Sequence, residues 1–326
     1  MVKLLTYLLF AVWARLHCSA EDLVQKEGFG LKVSTHAESG KGISFGGFTQ
    51  IAFGPGNSEI ITACITHRFL YRNHPKESFS VSPLAVKRNH SVVYNPRDKL
   101  YYANDTDNHR IIAFADPSKN EITTETKVIC GIQLKRPHDT VIDPATGWIY
   151  ALNPNSGHIF RFTAIGENES VIKAPTQGYT RALTFANGKL YAIGSAKGRI
   201  VEVVDWEKPT FKVYDSFDPT NRQAGAGSWK TTGLVLNDAE FFNGHWYATS
   251  YFTHSSAKGT NFDENKFIRF QALEDLVPGD WTDLSSLVPS GMTPYFMTVN
   301  NNKLYLATFN HEATGKGDSI LEFAAQ

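Results

Sequence analysis

The sequence has no excess of charge of either sign. Its 326 residues contain 32 Lys plus Arg and 32 Asp plus Glu, so the formal net charge is +0 at pH 7. The longest basic runs are single pairs such as Lys87-Arg88. A balanced chain of this kind gives no electrostatic reason to expect nucleic acid or an anionic membrane surface as partner. We expect instead a small-molecule, carbohydrate or peptide ligand.

Long apolar runs are also scarce, and the clearest one lies at the amino terminus. Lys3 supplies a positive charge, residues 4–14 form an apolar stretch, and Cys18-Ser19-Ala20 resembles a signal-peptidase cleavage site. The run is too short for a comfortable membrane span, and no later segment is longer. The sequence therefore predicts a signal peptide at 1–20 and a secreted or periplasmic mature chain without membrane insertion.

Cysteine is rare, with only three in the chain. One lies in the predicted signal peptide, which leaves Cys64 and Cys130. They could form one disulfide, but two thiols so far apart in sequence favour buried free cysteines.

What the sequence does contain is an internal repeat. Residues 90–114 align with residues 138–162 without a gap, at a period of 48 residues. Four further copies begin at Thr49, Arg181, Asn237 and Tyr295, which makes six. A repeat of this length is typical of architectures built from one supersecondary unit per copy.

Each copy has the pattern strand, tight turn, strand, loop, strand, with Asn-Pro, Asp-Pro, Asn-Gly or Gly-Pro at the turn. A fourth strand fits between copies, for example "ETKVICG" after the second and "FKVYDSF" after the fourth. No part of the mature chain has a long helical period. The sequence predicts an all-β, six-bladed β-propeller with four-stranded antiparallel blades.

The ends of the chain predict how the ring closes. Only three residues follow the third strand of the sixth copy, "SILEF", so that blade lacks an outer strand. The segment "GLKVSTH" precedes the first copy and is predicted to complete the last blade, which removes a free sheet edge. Residues 21–326 should then form a single domain, since cutting the chain inside it would open the ring, and we expect a monomer.

The second copy carries a recognisable signature. Its stretch "ANDTDNHRIIAF" resembles the NHL repeat, and "HDTVIDPATGWIYALNPNSGHIFRF" is similar to the same pattern. Copies four to six lack the Asn-His-Arg signature. The resemblance implies a propeller superfamily that includes the gluconolactonase group, strictosidine synthase and the peptidylglycine amidating lyase. His109 belongs to the signature and is expected to cap a turn.

The first strand of each propeller blade lines the central channel, so equivalent strand starts should form a ring at one mouth. We call these six residues the ring positions: Thr49, His90, His138, Arg181, Asn237 and Tyr295. The loops between the second and third strands should return to the same face and bring up Asp105, Asp107, Asn155, Ser195, His254 and His311. Because such polar groups are poor core material, we expect a wet, ligand-binding mouth.

Two functions fit these residues. In the first, the mouth binds a ligand without chemistry. In the second, a metal-dependent hydrolase or lyase, His90 and His138 bind a divalent metal such as zinc, with His254 or His311 as a further ligand. Arg181 then holds an anionic group and Tyr295 serves as acid or base. The mixture of His, Arg and Tyr is similar in type to the amidating lyase site. The same side chains could also only line a solvated funnel.

Three glycosylation sequons occur, at Asn89, Asn104 and Asn168. The first would place a glycan beside His90, which conflicts with the proposed mouth if that sequon is occupied.

Overall fold

The structure is a computed structural model that describes residues 26–39, 45–216, 234–250, 265–310 and 317–326. Six sheets, each built on four antiparallel strands, follow one another around a ring. Within the described ranges the regular structure is β-strand, with short 3-10 turns and no α-helix. The predicted all-β, six-bladed propeller is confirmed.

The strands follow the chain in order. Two amino-terminal strands come first: β1 (Lys26–Gly28) and β2 (Leu31–Glu38). Blade one contains β3 (Phe48–Phe53), β4 (Glu59–Ala63), β5 (Arg68–Arg72) and β6 (Ser80–Val81). Blade two contains β7 (Val92–Asn95), β8 (Leu100–Asp105), β9 (Arg110–Phe114) and β10 (Thr124–Thr126). A separate hairpin follows, β11 (Val128–Ile129) and β12 (Ile132–Gln133).

The remaining blades repeat the plan. Blade three contains β13 (Thr140–Ile142), β14 (Ile149–Asn153), β15 (His158–Phe162) and β16 (Ser170–Lys173). Blade four contains β17 (Thr180–Ala186), β18 (Lys189–Gly194), β19 (Arg199–Asp205) and β20 (Thr210–Asp215). Blade five contains β21 (Leu236–Phe242), β22 (His245–Ser250), β23 (Lys266–Phe270) and β24 (Thr282–Asp283). Blade six contains β25 (Thr293–Asn300), β26 (Lys303–Phe309) and β27 (Ser319–Ala325).

The hydrophobic core is divided among the blade interfaces. Side chains alternate between the two faces of each strand, and the apolar face of one blade packs on that of the next. Blades one and two, for example, meet through Phe69 and Phe114, whose ring centroids lie 5.6 Å apart. Tyr102 contacts Phe162 in the same way between blades two and three, at 6.1 Å. Each blade therefore depends on both neighbours for burial of its apolar surface.

One predicted outer strand differs from the observed structure. The stretch "ETKVICG" is divided between β10 and the β11–β12 hairpin, because Cys130 and Gly131 both have positive φ, 52° and 74°. Two consecutive residues with positive φ form the tight turn that a two-residue hairpin requires. The other predicted outer strand, "FKVYDSF", is confirmed as β20.

The predicted closure of the ring is confirmed. Strand β2 pairs with β27 in antiparallel register, from Leu31 opposite Ala325 to Glu38 opposite Ser319, and β1 adds a fifth strand outside it. Blade six is joined to blade one by the Thr298 hydroxyl, which donates to the Ile51 carbonyl at 2.7 Å. The strand from the amino-terminal part of the chain thus completes the last blade, which closes the ring.

Both cysteines are free, as predicted, although Cys130 is only half-buried. The predicted signal peptide lies outside the described residues. No helix in the described part of the chain has the length and apolarity needed to cross a membrane.

Candidate functional site

The ring positions occupy equivalent places in the fold. In four blades the pairing of the inner strand is irregular at the ring position, which the structure shows for Thr49, Arg181, Asn237 and Tyr295. His90 and His138 precede the first residues of β7 and β13 by two positions. A bulge turns a side chain away from the regular alternation of a strand. At Arg181 and Tyr295 the irregularity therefore lets the side chain leave the regular alternation and reach toward the axis of the ring.

Three of the ring positions meet across that axis. Arg181 Nη1 donates to the Tyr295 hydroxyl at 3.1 Å, and this hydroxyl lies 3.4 Å from His138 Nε2. His138 Nδ1 lies 2.8 Å from the Arg181 carbonyl oxygen. Because a carbonyl only accepts, Nδ1 carries the proton and Nε2 accepts from Tyr295. The three residues form a closed set of hydrogen bonds, which we call the axial triad.

His90 packs on the axial triad. Its ring stacks on that of His138, with centroids 4.0 Å apart and planes at 20°. His90 Nδ1 is buried and has no hydrogen-bond partner among the described residues. The sequence prediction that His90, His138, Arg181 and Tyr295 come together agrees with these contacts.

The burial of the axial triad differs from the expected wet mouth. His138, Arg181 and Tyr295 are 3%, 8% and 3% exposed, whereas His90 is partly exposed. The polar atoms of the triad bond to one another, and so they tolerate burial that would otherwise cost about 1–3 kcal/mol each. The triad is therefore a buried, mutually hydrogen-bonded cluster that lies across the axis.

Burial also keeps the site uncharged apart from Arg181. It lowers the pKa of His90 to about 3, with a further contribution from the Arg181 guanidinium. The pKa of His138 is lowered well below its ordinary value, first by burial and then by His90. Burial raises the pKa of Tyr295. Both imidazoles are consequently neutral and the phenol is protonated at pH 7.

The two imidazoles do not fit a shared zinc ion in this arrangement. The nitrogen lone pairs of a stacked pair lie in nearly parallel planes, and both nitrogens of His138 already face hydrogen-bond partners. No group of three His, Cys, Asp or Glu in the described ranges is placed to hold a metal. His254 and His311 lie outside the described residues, so a metal site completed by either of them stays a prediction.

Thr49 and Asn237 do not join the axial triad. Thr49 is buried and its hydroxyl lies 2.7 Å from the hydroxyl of Thr62. Asn237 donates from Nδ2 to the Pro294 carbonyl at 2.9 Å. Both side chains join strands at the mouth, while Asn237 Oδ1 is buried without a hydrogen-bond partner among the described residues, so their ligand-binding role stays a prediction.

In the described ranges, the loops between second and third strands of blades two and four return to this face. Ser195 accepts from Arg181 Nε at 3.2 Å and donates to the Leu236 carbonyl. Asp105 accepts from the Lys87 amide at 2.7 Å. Asp107 pairs with Arg136 at 3.0 Å, while Asn155 is exposed.

A second set of residues was missed by the sequence analysis. The side chains that follow four ring positions each accept a backbone N–H from the inner strand of another blade: Gln50 from Val92 (2.8 Å), Ser91 from Thr140 (2.9 Å), Asp139 from Leu183 (2.7 Å) and Asp238 from Met297 (2.7 Å). We call these four the bridging residues. The repeat indicates these residues, because each is a polar residue at the position that follows a ring position.

Two bridging residues are buried carboxyls. Burial, and then the nearby Asp238, raises the pKa of Asp139 well above its ordinary range. Burial raises the pKa of Asp238 to about 7. Glu240 is close enough that Asp238 and Asp139 help to raise its pKa as well, after burial. Asp139, immediately before β13, thus links blade three to blade four.

Comparison with known proteins supports the fold alone. No protein-family model matches the chain, and no curated protein sequence does. A catalytically inactive histidine-to-alanine variant of virginiamycin B lyase from Staphylococcus aureus, solved with quinupristin, is similar with a TM-score of 0.60 and 11% identity over 90% of this chain and 99% of that one.

Two further solved structures are similar to the same extent. A gluconolactonase from Xanthomonas campestris has a TM-score of 0.60 and 11% identity, over 91% of this chain and 90% of that chain. A luciferin-regenerating enzyme has a TM-score of 0.61 and 10% identity, over 90% and 95%. These neighbours are six-bladed propellers, and identities this low leave the function to be argued from the site.

Proposed function

We propose that this chain is an exported propeller that binds a ligand at the mouth above the axial triad. The observation that carries the proposal is the state of His90: its Nδ1 is buried without a partner among the described residues, while the rest of its ring is held by stacking on His138. A buried polar atom without a partner is costly. A ligand group that hydrogen-bonds to this nitrogen would satisfy it and so contribute to the binding free energy.

The charge state of the site supports binding over proton transfer. A general acid or base works best when its pKa lies near the operating pH. His90, with a pKa of about 3, and Tyr295, whose pKa is raised by burial, both lie far from that range. Asp238 has a pKa of about 7, but it is buried and engaged with the Met297 amide.

A ligand screen tests the proposal. Ligand-observed NMR with a fragment library should give hits on the wild type that His90→Phe abolishes, because phenylalanine keeps the stacking and removes the nitrogens. Lys208→Ala, a change at an exposed turn of blade four, should keep the same hits. Hits that survive His90→Phe, or a wild type without hits, would refute this site.

The second candidate is a hydrolase or lyase at the same mouth. It is favoured by the solved neighbours, which are described as a lyase, a gluconolactonase and a luciferin-regenerating enzyme. Metal analysis of the purified protein separates the two. Stoichiometric zinc that is lost on combining His90→Ala with His138→Ala would favour the enzyme, and unchanged fragment binding by metal-free protein would exclude metal from the site's function.

A further inference from the structure

Two arginines occupy matching places at the rim of the mouth. Arg88 and Arg136 each lie two residues before a ring histidine, and both have left-handed backbones with φ of 51° and 55°. The Arg88 amide donates to His67 Nδ1 at 3.0 Å, and the Arg136 amide donates to His109 Nδ1 at 3.0 Å. The His109 of the NHL-like signature therefore does cap a turn, and it fixes the backbone from which Arg136 projects.

The two rim arginines carry exposed side chains beside the site. Arg136 pairs with Asp107, with 48% of the arginine side chain exposed. No ion pair of Arg88 is present in the described part of the chain. The charges of both arginines, after burial and Arg181, help to lower the pKa of His90. The positive charges of three guanidinium groups thus disfavour protonation of the His90 imidazole.

We infer that the ligand of this mouth carries an anionic group, a carboxylate or a phosphate, which Arg88 and Arg136 bind at the rim. The inference rests on the proposed function and adds its chemical class. A guanidinium presents a planar fork of donors that matches the two oxygens of either anion. Although the chain as a whole is neutral, the mouth is locally positive, because Arg88 and Arg136 at the rim and the buried Arg181 beneath them outnumber Asp105 and Asp107.

Tyr179 adds an apolar surface next to these charges. It lies two residues before Arg181, the place that Arg88 and Arg136 occupy in the two preceding blades. The Arg181 guanidinium lies over the Tyr179 ring, 5.1 Å from its centroid, and the ring is partly exposed. A ligand with an anionic group next to a flat apolar portion would match this order of side chains around the mouth.

Matched probes test the inference. Binding of benzoate and benzamide, phenylacetate and phenylacetamide, and phenyl phosphate and phenol is measured by ligand-observed NMR on the full mature chain. The anionic member of each pair should bind at least threefold more tightly, and its affinity should fall as salt increases. Arg88→Gln and Arg136→Gln should each remove most of that preference, whereas Lys208→Ala should leave it unchanged.

The outcomes separate this inference from the proposed function. Neutral members that bind as well as the anions, with binding still lost in His90→Phe, would overturn the anionic class and leave the mouth as a binding site. An anion preference that survives both arginine variants would place the anion elsewhere and also overturn the inference. Failure of every probe to bind counts against the inference and the proposed function together.

A separate observation concerns the three glycosylation sequons. Asn89 is fully buried and its Nδ2 donates to the Arg68 carbonyl at 2.9 Å. Asn104 is also fully buried and donates to the Ser91 hydroxyl at 2.6 Å. Asn168 is exposed in the turn between β15 and β16, with a left-handed φ of 53°. In the folded chain only Asn168 has room for a sugar.

We propose that Asn168 carries an N-linked glycan when the chain is exported through a glycosylating pathway. The Asn168 Nδ2 forms a bond to the anomeric carbon of a lipid-diphosphate oligosaccharide, the bond from that carbon to the phosphate oxygen breaks, and Nδ2 loses one proton. The turn lies at the ends of the blade opposite to the mouth, because β15 runs away from the loop that returns to the mouth. The glycan would leave the ligand site open.

Expression of the full chain in a eukaryotic secretory host tests this site. Peptide mass spectrometry of the secreted protein should find glycan on Asn168 and on neither Asn89 nor Asn104. Ser170→Ala should abolish the modification, while Ser170→Thr, which keeps the sequon and the hydroxyl, should retain it. An unmodified Asn168, or a glycan on Asn89 or Asn104 of folded protein, would overturn the proposal.

Discussion

At the scale of single residues, the axial triad shows how polar groups can occupy the middle of a ring. Arg181 supplies a donor at its guanidinium and an acceptor at its backbone carbonyl, and Tyr295 and His138 link the two. Hydrogen bonds in such a series polarise one another in a medium of low dielectric constant. Each group in the triad is held in one protonation state and, for His138, in one tautomer.

His90 should make folding stability depend on pH. Its native pKa of about 3 lies below the ordinary value of 6.5, so the unfolded chain binds a proton that the native state rejects. The contribution of His90 to stability is therefore fully present above pH 6.5 and is lost as the pH falls toward 3. We expect His90→Phe to lose less free energy of unfolding between pH 7.5 and pH 5 than the wild type, by on the order of 1 kcal/mol.

Urea unfolding at the two pH values provides the measurement. The buried carboxyls Asp139 and Asp238 have raised pKa values and act in the opposite direction, since their stabilising contribution is lost as the pH rises. They are present in both proteins, so the difference isolates His90. Equal losses in wild type and variant would show that the native state does not disfavour protonation of His90.

At the scale of strands, the bridging residues explain how neighbouring blades are kept in register. The side chain that follows a ring position accepts an amide of another inner strand, as Asp139 does from Leu183. Hydrophobic contacts between blades do not depend on precise orientation, whereas these hydrogen bonds require a defined distance and angle. Register between blades is thereby defined near the axis, where the strands are closest.

We expect Asp139→Asn to be tolerated better than Asp139→Ala. Burial and the nearby Asp238 raise the pKa of Asp139 well above its ordinary range, so a neutral amide of the same shape is the closest replacement, and its oxygen keeps an acceptor for the Leu183 N–H. Alanine leaves that buried N–H without a partner, at a cost of about 1–3 kcal/mol. Chemical denaturation at pH 7 measures both variants, and an asparagine variant as unstable as the alanine variant would show that an acceptor oxygen alone does not replace the Asp139 carboxyl.

The strands and their order could be predicted from the sequence, and the details at the axis only in part. Turn residues and alternating apolar positions are local signals, so the six copies and the closing strand were visible in the repeat. The hairpin at Cys130 and Gly131 was missed because neither residue pair nor pattern marks it as strongly as Asn-Gly would. The burial of Arg181 and Tyr295 depends on contacts between blades four and six, which no local pattern encodes.

At the scale of the whole molecule, the seam between the first and last blades is held by ionic groups as well as by strand pairing. His36 on β2 lies 2.9 Å from Glu59 of blade one and 3.3 Å from Glu322 of blade six. Arg72 lies 2.7 Å from Glu59 and Lys303 lies 2.6 Å from Glu322. Residues from the amino terminus, blade one and blade six thus meet at one point.

This seam should be strongest at mildly acid pH. Burial lowers the pKa of His36, but hydrogen bonds to Glu322 and Glu59 outweigh it and raise the pKa above 6.5, despite the opposing Arg72. The bond to His36 lowers the pKa of Glu322 from 4.5 to about 2. The contribution of His36 is therefore lost as pH rises through its native pKa, and that of Glu322 is lost as pH falls below 4.5.

We expect His36→Gln to cost more free energy of unfolding at pH 5.5 than at pH 8.5. Glutamine keeps a hydrogen-bonding side chain but cannot become charged. Denaturation of wild type and variant at both pH values measures the effect, and Lys208→Ala serves as a control without a pH-dependent cost. A cost that is the same at both pH values would mean that His36 is not protonated at the seam.

The central claim is that inner-strand residues far apart in the sequence meet on the axis of a closed six-bladed ring. A double-mutant cycle with Arg181→Met and Tyr295→Phe tests it most directly, since these residues are 114 positions apart and interact only if blades four and six face each other. We predict a coupling free energy of about 1 kcal/mol in unfolding experiments. A coupling below about 0.3 kcal/mol, the level at which distant mutations add independently, would contradict the account.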